Sequence, residues 1–134
     1  MGLLDRFRRK KREQKIQVKS EESLTELEQI CGRDQEIYEA LSNVMFLDPR
    51  KIDVSMSTAI KEAKKLEKAK DFLRARMWYE MAGGLAIYEG NAKKVIEYFS
   101  KSEKISPDTK YPILKDPKKA VAKAQEYYKK YLKA

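Results

Sequence analysis

The sequence predicts an all-α protein built of antiparallel helical hairpins behind a basic N-terminal tail. Strand signals are nearly missing, and the single alternating stretch, Ile16-Gln17-Val18-Lys19, is too short to matter. Start and stop residues for helices recur along the chain, and between them apolar side chains stand three or four positions apart. The breaks in the middle of the chain are very short, which forces successive helices to run antiparallel.

Ser20 or Ser23 can cap a first helix, with Glu26 completing a capping box on Ser23. Leu24, Leu27 and Ile30 form its stripe, and Gly32 stops it. Asp34 can cap a second helix carrying Ile37, Tyr38, Leu41, Val44 and Met45, which Asp48-Pro49 ends. A third helix starts near Ser57 with Ile60, Ala63 and Leu66. Lys70-Asp71 breaks the chain, and Asp71 caps a fourth helix running to about Tyr88. That helix is apolar on most sides, through Leu73, Ala75, Met77, Trp78, Met81, Ala82, Leu85 and Ala86, so it is expected at the centre. Gly90-Asn91 opens a fifth helix with Ala92, Val95, Ile96, Phe99 and Ile105, and Pro107 stops it. Asp116-Pro117 opens a last helix whose stripe is Val121, Ala124, Tyr127, Tyr128, Tyr131 and Leu132. Trp78, Met81, Leu85, Val95 and Phe99 are expected to be buried together.

The chain has 134 residues and a net charge of +9, unevenly spread. Residues 1–19 hold eight basic and two acidic residues, a net of +6; residues 20–49 hold one and eight, a net of −7; residues 50–134 hold 21 and 11, a net of +10. This layout divides the chain into a tail at 1–19, expected to be mostly disordered until bound, an acidic helical pair at 20–48, weakly coupled to the rest, and a helical domain at 57–134. It favours anionic partners at two places and allows the acidic block to fold back on the basic body. Cys31 is the only cysteine, which excludes an intrachain disulfide and fits a reducing, cytoplasmic setting.

The residues around the central breaks resemble tetratricopeptide-repeat hairpins. Trp78, Met81, Ala82 and Leu85 stand at the spacing of the W-xx-L-G-xx-Y pattern, followed by Gly90-Asn91, Val95, Phe99, Ser102 and Pro107. In a shifted register, residues 59–105 are similar to the MIT domain, a three-helix relative of these repeats that acts in ESCRT-type membrane remodelling. Lys70-Asp71-Phe72, Ala75, Tyr79 and Ala82 take the places of its second-helix motif, and Ile96, Phe99, Lys101, Ser102, Glu103 and Ile105 stand close to its third-helix ending. Either resemblance implies an antiparallel bundle that holds a partner helix or peptide in a groove.

No histidine occurs, so the usual general base and the commonest metal ligand are missing. Gly83-Gly84 is not followed by the Gly-Lys-Ser/Thr of a phosphate loop. The expectation is a non-enzymatic adaptor that needs no cofactor or metal. Its partner would be an acidic peptide or helix, in a groove between the helices at 58–69 and 92–106 and the neighbouring end of 117–133. Lys61, Lys64, Lys68, Lys93, Lys94 and Lys101 would rim that groove. In the tail, Leu3, Leu4 and Phe7 share one helical face, with Arg6, Arg8, Arg9, Lys10, Lys11 and Arg12 around and behind them. That design suits reversible attachment to an anionic membrane surface, such as the inner face of the cell membrane. The alternative is a nucleic-acid- or ribosome-associated protein in which the tail and the Lys-rich helices contact phosphates. Tyr127, Tyr128 and Tyr131 could then stack bases, although their spacing is more simply that of a core-facing edge.

Overall fold

A computed structural model describes residues 25–132. Six α-helices lie among them: α1 (Glu26–Cys31), α2 (Gln35–Ser42), α3 (Met56–Lys68), α4 (Phe72–Glu89), α5 (Ala92–Ile105) and α6 (Pro117–Tyr131). Two short 3-10 turns, Pro49–Lys51 and Pro112–Lys115, complete the regular structure, and no strand occurs among the described residues. The all-α expectation holds, and the four long helices start and stop within one or two residues of their expected bounds.

Local chemistry explains the helix ends. Asp34, Ser55, Asp71, Asn91 and Asp116 each accept a hydrogen bond from a backbone N–H in the first turn of the helix they precede. Pro117 occupies the first turn of α6, where no N–H is needed. Two ends differ from expectation. The capping box of α1 is Thr25 with Glu28, not Ser23 with Glu26. The same residue pattern recurs two positions later, and there Thr25 Oγ1 accepts from the Glu28 N–H while Glu28 Oε1 accepts from the Thr25 N–H. Helix α2 stops at Ser42, so Val44 and Met45 lie beyond it. Tertiary packing takes that segment over: Met45 is buried, and Phe46 is laid against Gly84 of α4.

Helices α3 and α4 are joined by a Schellman turn, in which the Asp71 N–H donates to the Leu66 carbonyl and the Lys70 N–H to the Glu67 carbonyl. The same pair of bonds closes α4, from Asn91 to Ala86 and from Gly90 to Ile87. Both turns need a left-handed residue. Gly90 supplies it at φ 75°, whereas Lys70 is forced to φ 62°. A side chain there costs roughly 1–2 kcal/mol. Lys70→Gly is therefore expected to stabilise the protein by about 1 kcal/mol, allowing for the extra freedom of glycine in the unfolded chain. Urea unfolding that shows no gain would mean the turn is not left-handed in solution.

Helix α4 is the centre of the fold, as its all-round apolar character predicts. It carries three stripes. Ala75, Tyr79, Ala82 and Ala86 lie on the α3 side, where the Tyr79 hydroxyl donates to Glu67 Oε1 of α3 at 2.7 Å. All four are buried, as are Ala59 and Ala63 of α3, and small residues let the two backbones approach. Arg76 and Gly83 lie on the α5 side, where Phe99 fills the space above Gly83. Gly84 lies on the third stripe under Phe46.

Helix α6 closes the fold against α1, α2, α4 and α5. Tyr127 and Tyr128 are buried, and the Tyr128 hydroxyl donates to the Phe46 carbonyl at 2.7 Å. Helices α1 and α2, expected to couple weakly, are joined to α6 by Leu27, Cys31, Ile37, Ala40, Leu41 and Met45, which belong to one core with Val121, Ala124 and Tyr128. Lys119 Nζ also lies 2.7 Å from Asp34 Oδ2. The hydrogen bond from Lys119, then that from the Ile37 N–H, holds the Asp34 carboxyl below the usual carboxylate range. A carboxyl lowered by folding adds stability above its unfolded pKa of about 3.9, and that stability is lost as pH falls through the folded value. Asp34→Asn keeps the cap but loses the ion pair. It is expected to be less stable than wild type at pH 7, with the gap closing below pH 4. A gap that stays constant with pH would rule out the ion pair as its cause.

The expected core needs correction in part. Leu85, Val95 and Phe99 are buried, but Trp78 and Met81 are half-buried, and Leu73, Met77 and Ile96 are exposed. Tyr79, Ile87, Tyr98, Ile113 and the alanines of α3 and α4 take their place. Neighbouring helices approach α4 where its side chains are small, which turns several of its large ones outward.

Candidate functional site

The six lysines expected to rim a groove are all exposed on α3 and α5. Lys61, Lys64 and Lys68 share the outer side of α3, away from buried Ala59 and Ala63. On α5, Lys94 and Lys101 share one side, and Lys93 points elsewhere. The backbones of α3 and α5 do not approach each other closely; α4 packs against both. Leu3, Leu4, Phe7, Arg6, Arg8, Arg9, Lys10, Lys11 and Arg12 lie outside the described residues.

The apolar surface left open is on α4 itself. Leu73 and Met77, one turn apart on the stripe that leads to Gly84, are 61% and 56% exposed, and Phe72, on another side of the helix, is 44% exposed. At its C-terminal end this stripe is roofed by Phe46, and at its N-terminal end nothing among the described residues covers it to that extent. Sequence reasoning did not single out this surface, because it placed the groove between the helices at 58–69 and 92–106 and the neighbouring end of 117–133. A signal was present, since an all-round apolar helix with only two single-striped neighbours has more apolar surface than they can bury.

Next to the stripe is a polar cluster. The Arg76 guanidinium donates to Thr109 Oγ1 at 2.9 Å and lies 3.6 Å from Glu80 Oε1, and Ser102 Oγ donates to the Arg76 carbonyl at 3.5 Å. Arg76 Nε and the Tyr111 hydroxyl are buried beside Glu80, and neither makes a hydrogen bond of good geometry. Burial and the nearby Glu80 push the Tyr111 phenol up to about 12. At neutral pH this phenol is a neutral donor, and the cluster fixes the 106–111 loop rather than supplying a base.

A concavity of about 300 Å³ lies between α1, α2 and α6. Leu27, Tyr38, Met45, Leu47 and Tyr127 form its apolar wall, and Thr25, Glu26 and Ser42 its polar edge. A second, smaller one of about 120 Å³ separates α2 from the Pro112–Lys115 turn. Neither is lined by one of the six lysines. Cys31 is buried at the end of α1, and burial pushes its thiol up, which suits an apolar filler more than a nucleophile. Among the described residues no group of three or more Cys, Asp or Glu side chains is placed to hold a metal ion, and no helix is long and apolar enough to cross a membrane.

Comparison with known proteins brings no relative to bear: no protein family, no curated protein and no solved structure matches the chain.

Proposed function

We propose that this chain is a non-enzymatic helical adaptor, whose α4 stripe docks an amphipathic helix or extended peptide of a partner protein. The observation that carries this reading is the exposure of Leu73 and Met77 on one stripe of the helix that centres the fold. A partner helix would lay one apolar face along the stripe and continue the cover that Phe46 begins at Gly84. The net charge of +10 over residues 50–134 favours a partner with Asp and Glu beside its apolar anchors. The basic N-terminal segment adds weak attachment to an anionic membrane surface.

Leu73→Ser with Met77→Ser tests it. Both side chains are more than half exposed, so the melting temperature is expected to move little, while partner capture falls at least tenfold. Capture at the wild-type level by a folded double variant would overturn the reading.

The alternative, binding of nucleic acid, draws on the solvent-facing lysines of α3 and α5. Burial of Tyr127 and Tyr128 removes two of the three tyrosines that a base-stacking platform would use. Nucleic-acid binding would fall steeply with salt and survive the Leu73/Met77 change, which separates the two readings.

A further inference from the structure

The concavity between α1, α2 and α6 has an apolar wall, a polar edge with one acid, Glu26, and a particular place in the chain. Thr25, the first described residue, lines it, so the preceding residues reach the chain body at its rim. Tyr127 is buried on its wall, and Leu47, on the other side, is 55% exposed. Residues 20–49, which supply α1, α2 and most of this wall, carry a net charge of −7. Its volume suits two or three partly inserted apolar side chains and little more.

We propose that the concavity is the intramolecular docking site of this chain's own residues 1–19, with Leu3, Leu4 and Phe7 as the apolar anchors and the surrounding Arg and Lys residues drawn by Glu26 and the net negative charge of residues 20–49.

Connectivity decides whether so small a site can be filled. A separate peptide with two or three anchors and a loose ion cloud would bind at roughly millimolar dissociation constants, too weakly to matter at cellular protein concentrations. Phe7 lies only eighteen positions before Thr25. A coil of that length spans about 23 Å r.m.s., which keeps the anchors at a local concentration of about a millimolar or more. The site is then occupied for a large share of the time when tethered and almost never when not. Charge favours the pairing as well, since a segment of net +6 meets a block of net −7. The consequence is self-masking: while docked, the three side chains are withheld from a membrane or any other apolar surface, and a competing surface must displace them. The site stands apart from the partner stripe on α4, so loss of either leaves the other in place.

The test uses the full chain with Gly2→Cys carrying a nitroxide; buried Cys31 is expected to stay unlabelled, which mass spectrometry checks. Amide signals of Leu27, Tyr38 and Leu47 are expected to lose at least half their intensity relative to the reduced label, while those of Lys61, Lys64 and Lys68 on α3 keep theirs. Leu3→Ser, Leu4→Ser and Phe7→Ser together should restore the lost signals, as should Leu47→Ser, whose exposed position leaves the core intact. Absence of selective broadening overturns the proposal, and anionic vesicles pelleting the same protein would then assign the three side chains to the membrane. Broadening that persists in the triple variant would reduce the contact to charge alone and overturn apolar docking. Broadening transferred to an isotope-labelled, spin-free copy in a mixed sample would place the segment on a second molecule and overturn docking within one chain.

Discussion

Phe99→Ala is expected to destabilise the protein by about 3–5 kcal/mol, measured by urea or thermal unfolding. Phe99 has no exposed surface, stacks at a tilt on Tyr111 with ring centroids 5.0 Å apart, and fills the space that Gly83 leaves open on α4. Truncation removes a large apolar side chain from a site walled by three elements, and a helix pair held this closely cannot collapse far to refill it. The converse change gives the geometry a second test. A Cβ on residue 83 would stand 2.5 Å from Phe99 Cζ and 2.6 Å from Cε2, so Gly83→Ala must push the ring aside. The strain, about 1–3 kcal/mol, exceeds the ~1 kcal/mol that alanine adds as a better helix former. With Phe99 already alanine, the clash is gone and only the propensity gain remains. The double variant should therefore be no less stable than Phe99→Ala alone. Additive losses would mean that the two residues do not meet.

Deleting residues 117–134 is expected to abolish cooperative unfolding altogether, not merely to lower its midpoint. Ala120, Val121, Ala124, Tyr127 and Tyr128 of α6 are buried, and they join α1 and α2 to α4. Without them Leu27, Ile37 and Leu41 lose their cover, and Phe46 loses the hydroxyl that holds its carbonyl. Loss of near-ultraviolet dichroism and of the sigmoidal urea transition is the expected result. A truncated chain that still unfolds cooperatively would make α6 an internal lid, its tyrosines a plug that a partner displaces. Tyr128→Phe calibrates the comparison: it keeps the ring packed edge-on to Tyr88 and Tyr127 and removes one buried hydrogen bond, at a cost of about 1–2 kcal/mol.

Much of the architecture was legible in the residues because it is decided locally. Asp34, Asp71, Asn91 and Asp116 cap helices wherever a short acceptor precedes a run of good helix formers, and Gly32 and Gly90 end them because they accept positive φ. The Lys70 turn was located from its neighbour Asp71, although Lys70 is a poor residue for it. The end of α2 was misplaced because Val44 and Met45 keep the helical spacing, and only the position of Gly84 draws Phe46 out of it.

The candidate site was less legible, since exposure is a property of the assembled molecule. Leu73 and Trp78 differ little in apolar character, yet one is open and the other half-covered according to where α3, α5 and the 43–54 segment reach. The concavity at Thr25 likewise needs α1, α2 and α6 to be brought together from opposite ends of the chain.

By itself the sequence determined the helices, their caps and stops, the uneven charge and the lack of histidine, because each depends on residue type or on neighbours within a few positions. Which sides of α4 are buried, the union of α1 and α2 with α6 in one core, and the two surfaces offered here as docking sites were decided by tertiary structure alone. Periodicity names the apolar faces of a helix; what covers each face is set by the shapes of the helices that arrive to pack on it, and small residues such as Gly83 and Ala82 draw them closer than large ones.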